Sequence, residues 1–97
     1  MKPVRWNAAK SIALKAERGV SFEEVLSAIS QGGLLSVMSH PNQARYRHQK
    51  MLVVRIRDYA YLVPCVEIDD EIFLKSIIPS RKATRDFLTR GKPDDER

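Results

Sequence analysis

The chain of 97 residues is poor in the residues that staple or span. Its one cysteine, Cys65, excludes an internal disulfide framework and a Cys-rich zinc site. It has no apolar run of transmembrane length and no signal-like apolar stretch in Met1–Trp6, so a soluble, cytoplasmic protein is expected, with no membrane partner. Glycine and aromatics are few, at 4 and 7%, and no repeat or low-complexity segment occurs. No G-x-x-x-x-G-K loop is present, so P-loop nucleotide chemistry is excluded. His40 and His48, the only histidines, lack metal-ligand spacing, no Ser-His-Asp arrangement stands out, and neither metal nor cofactor is expected.

What is present is positive charge. Lys plus Arg is 17 against 12 for Asp plus Glu, a formal net charge of +5. A polyanionic partner is favoured: nucleic acid, an acidic protein or an anionic surface. Apolar residues make up 43% and charged residues 30%, the balance of a single globular domain over 1–97 with a frayed tail from about 92.

Local signals place the elements. Lys2–Trp6 is a strand or a loop leading into a helix. Asn7 stands as N-cap, Ala8, Ala9, Ile12, Ala13 and Ala16 recur at helical spacing, and Gly19 ends this first helix. Ser21-Phe22-Glu23-Glu24 is a capping box and Val20/Val25 a hydrophobic staple. The second helix buries Phe22, Val25, Leu26 and Ile29 and stops at Gly32-Gly33. Strands are expected at Leu34–Met38, Met51–Arg57, Tyr59–Val66 and Ile72–Ile78, with turns at His40-Pro41-Asn42, Asp58 and Asp69-Asp70. Pro64 predicts an edge or a bulge. Pro79-Ser80 breaks the sheet, and Ser80 caps a last helix, Arg81–Arg90, with an Ala83, Phe87, Leu88 stripe and Gly91 as its end. The class is α+β: two N-terminal helices, a four-stranded antiparallel sheet covered by the helical hairpin, and a C-terminal helix.

The cations come in two blocks. Arg45, Arg47, Lys50, Arg55 and Arg57, with His48, have no acid among them. Arg81, Lys82, Arg85, Arg90 and Lys92 have only Asp86. Acids gather instead at Glu67, Asp69, Asp70 and Glu71. Tyr46 lies inside the first block, and cations interleaved with aromatics suit single-stranded RNA. A solvated basic face is the plain alternative for these blocks, and core cover is the plain role for Tyr59 and Tyr61.

RNA cleavage needs no metal in principle, because the 2′-hydroxyl is already held beside its phosphate. The protein must align it, stabilise the phosphoryl oxygens and move protons. Arginine's planar fork suits the second task, and one such contact is typically worth roughly 3 kcal/mol of barrier. The candidate phosphate ligands are Arg45, Arg81 and Lys82, with His48 or Lys50 as proton carrier. Arg81 ranks first, as the start of a helix favours phosphate there. Tyr46, Arg47, Arg57 and Arg85 are candidate RNA contacts. Cys65 reads as a small buried residue.

Four strings in order, from about residue 6 to 88, resemble BrnT-type toxins. These are Trp6-Asn7 with Lys10, Gly19-Val20-Ser21-Phe22-Glu23-Glu24, Arg45-Tyr46, and Ile77-Ile78-Pro79-Ser80-Arg81-Lys82-Ala83. Arg18 and Pro79 depart from the family's His and Ser. The resemblance implies a RelE-like fold and a ribonuclease toxin of a type II toxin–antitoxin system, inhibiting translation, with Lys10 of the opening string as a further RNA contact. It also implies a cognate antitoxin as partner, with operator DNA reached only through that antitoxin. A non-cleaving nucleic-acid-binding module, or a degenerate toxin kept as an antitoxin's partner, is the alternative.

Overall fold

The computed structural model describes residues 2–39, 42 and 44–89. The elements run β1 (Val4–Arg5), α1 (Ala8–Arg18), α2 (Phe22–Ser30), β2 (Leu34–Ser39), β3 (Gln49–Ile56), β4 (Tyr59–Ile68), β5 (Glu71–Leu74), β6 (Ile78–Pro79) and α3 (Arg81–Thr84), which continues as a π-helical turn over Arg85–Thr89. The α+β class is as expected. Arg90 at the end of the expected last helix, the Gly91 stop, the tail with Lys92 and most of the His40-Pro41-Asn42 turn lie outside the described residues.

The first two helices form where local hydrogen bonds dictate. The Asn7 side chain accepts the Lys10 N–H at 2.9 Å, and Gly19, at φ 76°, closes α1 with its N–H on Lys15 O. At the start of α2, the Ser21 hydroxyl accepts the Glu24 N–H, and the Glu24 carboxylate accepts the Ser21 N–H at 2.8 Å. Both staple residues, Val20 and Val25, are fully buried.

The face that α1 buries differs from the apolar stripe. Ser11 and Leu14 turn inward, while Ile12 is 73% exposed. The hairpin geometry explains this. The Ser11 hydroxyl accepts the Phe22 N–H at 3.0 Å and donates to Glu23 Oε1 at 2.7 Å, satisfying the first turn of α2. With both partners in place the buried Ser11 hydroxyl carries no unmet hydrogen bond, so a polar residue can occupy the contact face.

The sheet is mixed, not a purely antiparallel four-stranded one. Its order is β1-β5-β4-β3-β2, with β1 parallel to β5 and every other pairing antiparallel. Two-residue turns at Arg57-Asp58 and Asp69-Asp70 join β3 to β4 and β4 to β5, all four residues having positive φ. Arg57 is thereby a turn residue, one past the strand. Pro64 lies in the central strand, neither on an edge nor at a bulge. Its carbonyl accepts the Lys75 N–H at 2.8 Å, so its missing N–H faces the point where the neighbouring strand breaks between β5 and β6. The expected single strand Ile72–Ile78 is split there for that reason, and Pro79 pairs with Tyr61 rather than breaking the sheet.

Each face has its own core. The α1–α2 side holds Leu14, Phe22, Val25, Leu52, Val54, Val63, Leu74 and Ile77, with Trp6 and Tyr61 against them. The opposite side holds Val53, Ala60 and Ala83, with Leu35, Leu62 and Leu88. Phe87, expected in the apolar stripe of the last helix, is exposed, because the π turn shifts its register relative to Ala83.

Gly33 ties α2 to β3. Its N–H donates to Ala28 O and its carbonyl accepts the Arg55 N–H, and a Cβ there would sit 2.8 Å from both Ala28 O and Arg55 O. Both obstacles are backbone, so neither can swing aside. Gly33→Ala is expected to cost about 1–3 kcal/mol, read as a lower denaturant midpoint at unchanged slope.

Three carboxylates sit below their usual range. Ser11 holds Glu23 down by hydrogen bonding. Partial burial pushes Glu24 up, but Lys15, the Ser21 N–H and Arg57 together outweigh it. Lys2, through an ion pair, lowers Glu67. A depressed folded value stabilises above the unfolded value and is lost as pH falls through the folded one. Thermal melts are therefore expected to be flat from about pH 7 to 5.5 and to fall below about pH 4.5, with a shallower acid limb in Glu24→Gln.

Candidate nucleic-acid interface

Among the described residues, the α3 side of the sheet is only partly covered. α3 and the π turn pack over Val53, Ala60 and Leu62. Beyond them the register sets two further rows on this face, Met38–Met51–Pro64 and Gln49–Val66–Phe73–Arg5, in which Met38, Phe73 and Arg5 are exposed and the others half-buried. Phe73 is exposed, with the Lys75 ammonium 5.4 Å from its ring centroid. Arg5 pairs with Glu71 at 3.1 Å.

At one end of this face stands the β2–β3 loop. Asn42 organises it: its carbonyl accepts the Tyr46 N–H at 2.9 Å and its side chain the Arg45 N–H at 3.3 Å. The Arg45 guanidinium lies 5.5 Å from the Tyr46 ring centroid. A depression of ≈ 540 Å³ runs from Arg45, Tyr46, Arg47 and His48 onto Gln49, Val66 and Ile68. Cations, an aromatic ring and apolar sheet meet there.

At the other end stands α3. The Ser80 N–H donates to Ala60 O, and the Ala60 N–H donates to Thr84 Oγ1 at 2.8 Å, seating α3 beside the β3–β4 turn. Arg81, Lys82 and Arg85 are exposed on it, Lys82 pairing with Asp86 at 3.1 Å and Arg85 with Asp86 at 3.6 Å. α3 has four residues, and the Ser80 hydroxyl already accepts the Ala83 N–H. The helix-start argument for phosphate at Arg81 therefore falls away.

Arg45, Arg47 and His48 of the first block and Arg81, Lys82 and Arg85 of the second thus border one face at opposite ends. Six residue steps of β4 separate Ala60 from Val66, about 20 Å at some 3.3 Å per residue. Arg45, Arg47 and His48 are gathered together; Arg81 and Lys82 are not gathered with them into one pocket. Lys50 points to the hairpin side, 3.9 Å from Glu67, in a depression that also takes in Lys2, Arg47, His48, Asp69 and Asp70. There Glu67 offsets the charge of Lys50, with Asp69 and Asp70 of the β4–β5 turn beside them. Arg57 is committed to the fold, donating to Gly19 O at 3.1 Å and pairing with Glu24 at 3.4 Å. Lys10, on α1, lies beside Phe73 and Lys75 at the β5 margin.

Tyr59 and Tyr61 pack edge to face at 5.5 Å, and Tyr61 covers the hairpin-side core. Burial pushes the Cys65 thiol up, with Glu67 adding to the effect, so it stays a protonated core residue. Phe73, Lys75 and Arg5 were not singled out by the sequence. Phe73 and Lys75 share a face by simple alternation, but which face stays open depends on where α3 lands. Among the described residues no group of three His, Cys, Asp or Glu could hold a metal ion, and no helix is long and apolar enough to cross a membrane. No protein-family model, curated protein or solved structure matches the chain.

Proposed function

We propose that this protein is a metal-independent endoribonuclease of the BrnT kind, the toxin of a type II toxin–antitoxin pair, taking single-stranded RNA across the open α3-side face. The carrying observation is that Arg45, Arg47 and His48 at one end and Arg81, Lys82 and Arg85 at the other border that one face, with apolar sheet between them, Tyr46 among the first group and Phe73 in the row beside it. Cations at the ends suit phosphates and the rings suit stacked bases. The cleavage half of the reading rests on the sequence resemblance.

One scissile phosphate reaches one block only. The Arg45–His48 end is the better centre, because it combines guanidinium groups with the described imidazole. There the 2′-oxygen attacks phosphorus as its proton passes to His48, the P–O5′ bond breaks, His48 delivers that proton to the departing 5′-oxygen, and Arg45 and Arg47 face the phosphoryl oxygens. Arg81, Lys82 and Arg85 then anchor the strand further along, a lesser role than first rank in catalysis. The gap of about 20 Å between the blocks favours one other reading, a domain that binds RNA without cutting it.

Incubating the protein with a single-stranded RNA in chelator tests this. Cleavage with a 2′,3′-cyclic phosphate end is expected, lowered about 100-fold or more by His48→Ala, with Arg81→Ala weakening binding more than turnover. Salt-sensitive binding with intact RNA would establish the non-cleaving reading instead. Absence of both activities would sink the two together.

A further inference from the structure

At the Arg45–His48 end of the α3-side face, the row Gln49–Val66–Phe73 crosses three adjacent strands. Strands lie about 4.8 Å apart, so roughly 10 Å separates the Gln49 backbone from that of Phe73. Val66 is a half-buried apolar floor between them, and Phe73 stands 39% exposed at the far side. Gln49 follows His48 in the chain, and the depression of ≈ 540 Å³ takes in both together with Val66.

Gln49 differs from the cations around it. Its backbone is fixed: its N–H donates to Tyr46 O at 2.9 Å, and the carbonyl of the preceding His48 accepts the Glu67 N–H at 2.9 Å. Its side chain is half-buried, and among the described residues the amide makes no hydrogen bond. An uncharged amide on a strand, with donor and acceptor both unused, suits a ligand that presents an acceptor and a donor side by side. Nucleobase edges do so, and the match for glutamine is adenine, with N7 accepting and N6 donating. Guanine shows two acceptors, N7 and O6, on the same edge. Pyrimidines lay less ring on Val66 and Phe73 than purines do.

We propose that Gln49, Val66 and Phe73 form a subsite for one splayed-out base, selecting adenine at the nucleotide beside the phosphate that Arg45 and Arg47 hold. The proposal deepens the RNA reading and rests on it. Gln49 is the specificity-determining residue, bonding the edge of the base. Val66 and Phe73 supply apolar contact that any base can use.

The test is fluorescence anisotropy with the full chain and labelled 2′-O-methyl octauridylate, whose blocked 2′-oxygens prevent the proposed cleavage. The oligonucleotide carries one central A, G or C, or none. The single A is expected to strengthen binding about tenfold over all-U, and G or C about threefold at most. Gln49→Leu should abolish the advantage of A and leave all-U binding within about twofold. Gln49→Met serves in its place should the Leu variant not melt like wild type. Phe73→Ala should weaken all four oligonucleotides about tenfold. Equal affinities for the four, preference for another base, an A preference that survives loss of the Gln49 amide, or unchanged binding in Phe73→Ala overturns this subsite and leaves the RNA reading standing. Binding of none of the four overturns both.

Discussion

Phe22→Ala is expected to remove about 3–5 kcal/mol of stability, a large part of what a domain of this size holds. Phe22 is fully buried, sits one residue past the α2 cap, and lies with its ring centroid 6.1 Å from that of Trp6. It joins the helical hairpin to the strands, so truncation leaves a void bounded by elements that cannot all close in. At about 4–8 °C per kcal/mol for a small domain, the melting temperature should drop by about 12 °C or more. Trp6 is the sole tryptophan, so its fluorescence reports the loss of packing directly. Ile12→Ala is the contrast: the sequence pattern alone would make it a core substitution, but its exposure predicts a change within about 0.5 kcal/mol. Comparable damage from both would mean that α1 is rotated from the face described.

Removing Arg45 and Arg47 together is expected to weaken single-stranded RNA binding roughly tenfold or more at low salt, and to lower the slope of log affinity against log salt by about 1.4, two phosphates at about 0.7 each. The pair belongs to the loop that Asn42 organises, at the open end of the α3-side face. Arg57→Ala should leave that slope unchanged, because its guanidinium is spent on Gly19 and Glu24 on the hairpin side. Fluorescence anisotropy of a labelled oligonucleotide across a salt series measures both. An Arg57 effect as large as the Arg45/Arg47 effect would place the RNA on the other face and remove the proposed interface.

The candidate site was legible in the sequence to the extent that its chemistry is local. The acid-free run from Arg45 to Arg57, the Tyr46 ring within it and the basic start of the last helix are composition, and composition needs no fold. The blocks' relation to one another is not composition. A gap of about 20 Å along one strand, instead of one pocket, follows from β4 running between them, and from the two-residue turns that fix where each end of β4 lies. The neutralisation of Lys50 by Glu67 likewise joins residues on two strands that only register brings side by side.

The same division runs through the whole molecule. Sequence alone determined the Asn7 and Ser21 caps, the Val20/Val25 staple, the Gly19 stop, the two aspartate turns and the α+β class, since each is settled by hydrogen bonds or sterics within a few residues. Tertiary structure decided that Ser11 and Leu14 rather than Ile12 face inward, that β1 joins the sheet in parallel, that Pro64 splits its neighbour, and that α3 packs over the Val53, Ala60 and Leu62 part of its face. Those outcomes depend on contacts between residues far apart in the chain, where the best-satisfied packing of several elements at once overrides the preference of any one of them.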